Sequence, residues 1–299
     1  QLHNVRVIVK VTKLHEFSQF LYVEMSSINL DIINSTFVGV SQSVKLILGN
    51  EESFLNPYMI NVNIVGCNFS INQGGTRGIV YVHILHSSSK FRRSNFQISN
   101  SHFHSNIIRD TGIIYINNNL PYINAKFTIL NSSFSENIAD FGVVLSMRSQ
   151  LKKGEHLYRA TISCIIYDCF FRNNVAKHHT SIMFLENIFY LKMENSYLIN
   201  NYVLNKEPIR SSLISGTLGY VKMINVSVII NNNDLSNTRT MQFIISSLYD
   251  VTNVETYLSL KYFCPLWNYL KAEYFYHKRK LHNIEIICLT CPATRYCPY

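Results

Sequence analysis

The sequence predicts an all-β fold: a right-handed parallel β-helix, a single-stranded solenoid with three short strands per coil, ending in a small cysteine-rich C-terminal cap. Three observations lead there. A motif closing on a large apolar residue, mostly Phe, recurs seven times at a spacing of about thirty residues, six of the seven followed three residues later by Asn, and a fixed period of this size marks a stacked repeat. Each repeat opens with period-2 alternation, the mark of a strand with one buried face. No segment between the strands has the ten or more residues of helical periodicity that a βαβ unit requires. The β-helix is assigned to residues 1–250 and the cap to 251–299, with the repeat itself running over about residues 5–250.

The first strand of each coil carries two inward positions. One is Leu30, Val62, Phe96, Phe127, Cys164, Leu191 or Val221; two residues on, the motif opens with Ile32, Ile64, Ile98, Ile129, Ile166, Met193 or Met223. Asn34, Gly66, Asn100, Asn131, Asp168, Asn195 and Asn225 follow. These residue types tolerate the left-handed region, so the column reads as a sharp bend. The second strand turns inward a small residue (Ser35, Cys67, Ser101, Ser132, Cys169, Ser196, Val226) and then the Phe column, Phe37, Phe69, Phe103, Phe134 and Phe171, continued by Leu198 and Val228. A further Asn column lies at Asn72, Asn106, Asn137, Asn174, Asn201 and Asn231, before a third strand such as Gly78–His83 or Gly112–Ile116. Stacking about 4.8 Å apart places identical residues above one another, and amides in such a ladder donate and accept between coils. Val5–Val11 and Phe20–Met25 read as a partial earlier coil.

Composition bounds the rest. With 47% of its 299 residues hydrophobic, the chain can fill one elongated core. It shows no secretion signal after Gln1, so it reads as a fragment or mature product, and an open first coil implies further chain upstream. No apolar run approaches eighteen residues, so a membrane is reached only through regions outside this segment. Cys67, Cys164 and Cys169 fall on inward positions and read as small core residues. Cys264, Cys288, Cys291 and Cys297 lie where the repeat has stopped. Two disulfides are favoured over a zinc site built on the Cys288-x-x-Cys291 spacing. Among the Asn-x-Ser/Thr sequons at Asn34, Asn68, Asn131 and Asn225, Asn68 points outward and is the glycosylation candidate.

The Phe-x-x-Asn pattern followed by Gly and an aliphatic strand resembles the repeats of chlamydial polymorphic membrane proteins and the pectin-lyase-like β-helices of large eukaryotic surface proteins. The Gly-Gly-Ala signature of the bacterial repeats is absent, Gly112 and Gly142 standing alone. The tail, Cys288-Leu-Thr-Cys291-Pro-Ala-Thr-Arg-Tyr296, resembles the ephrin-receptor-like cysteine-rich module, with Thr where that module has Gly. Together the resemblances imply an extracellular or cell-surface protein.

Two function classes compete. Enzymes of the pectin-lyase-like fold act on polysaccharides through paired carboxylates or acidic calcium ligands. The chain has 18 acidic residues, and the best acid/base candidates are Asp110, Asp140 and Arg109, with His178-His179 in the next coil. The alternative is a non-catalytic scaffold or an adhesion and glycan-recognition surface, with no cofactor and no metal. A net charge of +9 and a stripe of Lys90, Arg92, Arg93, Lys152, Lys153 and Arg159, with His156, favour acidic glycans or another surface protein as partner. Nucleic acid is not expected, and His277–Lys280 reads as a surface charge run. The non-catalytic reading is preferred.

Overall fold

A computed structural model describes residues 6–9, 19–25, 28–39, 42–48, 59–74, 77–84, 92–118, 123–149, 162–178, 180–204, 212–229, 241–244, 255–263, 268–277 and 280–290; side chains are described only between residues 21 and 229. The described residues form strands and bends with no helix, in a long parallel arrangement consistent with a parallel β-helix. Up to Ile229, each described strand pairs with its counterpart one coil away. In the first-strand ladder, Ile28–Ile33, Met59–Val65, Arg92–Ser99, Ile123–Leu130 and Ser163–Tyr167 follow one another in register. Thus Leu30 lies on Val62, Phe96, Phe127 and Cys164 in turn, as the column reading requires.

The inward columns are buried along the whole described stack, from Leu30 to Val228. Phe37, Phe69, Phe103, Phe134 and Phe171 are wholly inaccessible and lie face to face, with centroid separations of 4.6, 4.6, 4.8 and 5.4 Å. The bend column also holds: Asn34, Gly66, Asn100, Asn131, Asp168, Asn195 and Asn225 all have positive φ, between 41° and 64°. Asn131 Nδ2 donates to Asn100 Oδ1 at 2.8 Å and Asn225 Nδ2 to Asn195 Oδ1 at 3.0 Å.

The structure adds three features. A two-residue strand follows the buried Asn in each coil (Gln73–Gly74, Ile107–Ile108, Ile138–Ala139, Val175–Ala176, Tyr202–Val203), making a separate five-stranded ladder where three strands per coil were expected. A second left-handed column precedes that Asn, at Ile71, Ser105, Glu136, Asn173 and Asn200. In later coils the third strand runs on into the next first strand, giving Thr180–Glu194 and Ser212–Ile229.

An earlier coil is present: Arg6–Val9 pairs with Ile28–Ile33, and Gln19–Met25 with Gln42–Leu48. Beyond residue 250, Glu255–Phe263 continues the parallel pairing on Ser212–Ile229. There the register slips between Met223 and Val226, so the partner lacks the bend residue that makes the motif visible in sequence. Asn268–His277 and Lys280–Thr290 form an antiparallel pair, and the latter also meets Met241–Ile244 antiparallel.

Candidate functional site

The sequence-named acid/base group sits where the short ladder ends. Ile138 and Ala139 pair with Val175 and Ala176, and Ile107 with Ile138. Continuing that register places Arg109, Asp140 and Lys177 in one column, with Asp110 one residue further along. Asp140 Oδ1 is buried 3.0 Å from Lys177 Nζ, an ion pair without hydrogen-bond alignment. Its carboxylate is therefore held by a lysine, whereas Asp110 and Arg109 are exposed to water. His178 packs its ring near Phe141, with centroids 6.0 Å apart. Among the described residues, no three His, Cys, Asp or Glu side chains are grouped to hold a metal ion.

Of the basic stripe, Lys90, Lys152, Lys153, His156 and Arg159 lie outside the described residues, while Arg92 and Arg93 are described only as the backbone opening a first strand. Cys264, Cys291 and Cys297 also lie outside them, and Cys288 is described only as backbone opposite Leu270. Asn68 is exposed on its second strand. Cys67, Cys164 and Cys169 are free thiols in the core.

The largest set of chemically capable side chains that sequence reasoning did not single out is the outer face of the second-strand ladder. Asn68, His102, Ser133, Phe170 and Tyr197 occupy one outward column, and Ser70, His104, Ser135, Arg172 and Ile199 the other. His102 Nδ1 lies 2.7 Å from Ser133 Oγ, and His104 Nδ1 3.0 Å from Ser135 Oγ. The far side of the His104 ring, Nε2, is 3.0 Å from Ser105 Oγ, which donates to Glu136 Oε2 at 3.4 Å; the carboxylate itself is 3.8 Å from Nε2. A serine, imidazole and carboxylate in series is the grouping that activates nucleophiles. Here it lies open on a strand face, and the nearby N–H groups of Ser105 and Glu136 donate to Ser135 O and Arg172 O. Those donors are thus committed to the coil stack instead of to a developing oxyanion. Further along, Phe170 and Tyr197 stack with centroids 4.9 Å apart and planes 4° from parallel. The signal for this face was alternation: His102 and His104 flank the inward Phe103 and so share the outward side.

On the outer face of the first-strand ladder, Lys192 Nζ meets Glu194 Oε1 at 2.8 Å and contacts the Tyr167 hydroxyl. Hydrogen bonding to Glu194 and Tyr167 raises the Lys192 pKa, keeping the ammonium charged. Burial alone would raise Glu194, but the Lys192 and Tyr167 hydrogen bonds outweigh it and hold the carboxyl below its ordinary range. This cluster reads as a charge-satisfied surface tie between neighbouring coils.

No family model, curated protein or solved structure matches the chain.

Proposed function

We propose that the chain is the non-catalytic β-helix region of an extracellular or cell-surface protein, serving as a rigid scaffold with an adhesion or glycan-recognition surface. In this reading the coils wind right-handed as in pectin-lyase-like and polymorphic-membrane-protein repeats, and the tail is a cysteine-rich cap cross-linked through Cys264, Cys288, Cys291 and Cys297. The carrying observation is that the repeated inward residues and the buried Asn column are consumed inside the stack, while the repeated bend column lies exposed at its corner. Each buried Asn from Asn72 to Asn174 donates both to a Phe carbonyl and to the next Asn. Repetition thus builds a stiff rod, and the outer face varies from coil to coil as a recognition surface does.

The rival reading is a lyase or hydrolase acting on polysaccharide through Asp110 and Asp140. The test is incubation of the chain with polygalacturonate, pectin and alginate, following release of unsaturated and reducing ends. The expected result is no turnover. Release abolished by Asp110→Asn or Asp140→Asn overturns the proposal.

A further inference from the structure

We infer that the outer face of the second-strand ladder holds a sugar-binding notch at Ser133, between Phe170 and His102, that takes one acidic pyranose residue of a glycan. The inference rests on the recognition reading above and gives it a place and a ligand chemistry.

The outward column is polar from Thr36 through Asn68, His102 and Ser133, then abruptly aromatic at Phe170 and Tyr197. The two residues are 47% and 40% exposed, large values for aromatic side chains. Tyr197 covers one face of Phe170. The other face looks along the stack toward Ser133, whose hydroxymethyl group is too small to cover a ring. His102, one coil beyond, forms the opposite wall and is tied to the notch floor through Ser133 Oγ. Two coil spacings separate Phe170 from His102, about 9–10 Å between backbones, which leaves room for one intercalated ring.

What fills such a slot is decided by its rim. An aromatic face is electron-rich and favours polarised C–H groups laid flat upon it. A pyranose presents those groups on one face and hydroxyls around its edge. Ser133, Ser135, His102 and His104 supply hydroxyl and imidazole groups at that edge. Ring face plus a few convergent polar groups is the composition of a small-ligand site. Arg172 follows in the neighbouring outward column, in the same coil as Phe170; it is exposed and has no carboxylate partner among the described residues. A free guanidinium takes carboxylate or sulfate through paired N–H donors, and the chain's +9 charge favours the same sign of ligand. A purely apolar side chain from a peptide would leave the polar rim unused.

The experiment is calorimetric titration of the whole chain with three hexasaccharides: a uronic-acid oligomer, a sulfated hexose oligomer and a neutral hexose oligomer. An acidic probe is expected to bind about tenfold or more tightly than the neutral one. Phe170→Ala and Ser133→Phe should each weaken it about tenfold, and Arg172→Gln should remove the acidic preference. Ser133→Phe continues an existing aromatic stack, so its unfolding midpoint should hold while its notch is filled. No binding of either acidic probe up to about 1 mM overturns the inference. So does binding that ignores Ser133→Phe but is lost on replacing Lys152 and Lys153 with Gln; glycan recognition then stands and the site is elsewhere. Capture of a Trp- or Tyr-bearing peptide in place of the sugars, sensitive to Ser133→Phe, makes the notch a protein dock and also overturns it. Turnover of a probe would defeat the non-catalytic reading separately.

Discussion

At Ile71 a β-branched side chain sits at φ 55°, 60% exposed, in a column whose other members include Asn173 and Asn200. The left-handed region costs an L-residue about 1–2 kcal/mol, less for Asn. Ile71→Asn should therefore raise stability by about 1 kcal/mol, since little buried surface is lost; an unchanged or lower midpoint in chemical denaturation contradicts this. The same column shows the limit of sequence reading. The first bend was legible because Asn, Asp and Gly announce it. The second, carried by Ile71, Ser105 and Glu136, was not, because the stack imposes the conformation on residues that do not favour it. The small inward column was legible as small, but its role was not. Ser35, Ser101, Ser132 and Ser196 each donate back to the carbonyl two residues earlier, and the Cys67 and Cys169 thiols take the same position. Burial pushes the thiol of Cys169 up to about 12 and, with the neighbouring Cys169 as a lesser cause, that of Cys164 as well. An acid whose folded pKa is raised stabilises fully below its unfolded value and loses that contribution as pH rises toward the folded one. Stability should accordingly decline from about pH 9 upward through a term that Cys164→Ala and Cys169→Ser reduce. In the folded state these thiols should resist alkylation at pH 8; rapid labelling without unfolding would place them outside the core.

Among elements, the buried Asn ladder ties the most together. Asn137 donates to Phe103 O at 3.0 Å and to Asn174 Oδ1 at 2.9 Å, while its own Oδ1 accepts from the side chain and backbone N–H of Asn106. One amide thus joins three coils at a site with no solvent access. Asn137→Ala leaves several buried groups without partners, each at about 1–3 kcal/mol, and should cost about 3–5 kcal/mol in all. The comparison to make is denaturant unfolding of Asn137→Ala against Ser133→Ala, an outward neighbour expected to change stability by less than about 0.5 kcal/mol. Equal losses at the two positions would remove the ladder's special standing. The inner columns could be read from sequence because stacking demands like on like, so chemistry repeats where the coil repeats. The outer face could not, since Asn68, His102, Ser133 and Phe170 share a column without sharing a residue type. The two-residue strand escaped for a simpler reason: two residues carry no period.

At the scale of the whole molecule, a stack in which each coil touches only its neighbours should tolerate the loss of one coil, provided every column stays in phase. The offset between two central coils is uniform. Phe96 pairs with Phe127, Phe103 with Phe134 and Ile114 with Leu145, each 31 residues apart, as are Asn100 and Asn131. Deleting residues 101–131 joins Asn100 to Ser132 at the bend and brings Phe69 under Phe134, Asn72 under Asn137 and Phe96 under Cys164. Each new neighbour is a pair the fold already stacks at another level or an apolar match. The shortened chain should fold with a single cooperative transition and a modestly lower midpoint, reflecting one lost coil and one lost interface. Deleting residues 101–130 instead leaves one extra residue at the bend. With a side-chain period of two, that slip turns Phe134 and its strand toward solvent, and cooperative unfolding should disappear from the circular dichroism melt. If both deletions fold equally well, the columns do not set the register. If neither folds, the coils are not interchangeable units, and stability must instead depend on contacts that reach beyond adjacent coils.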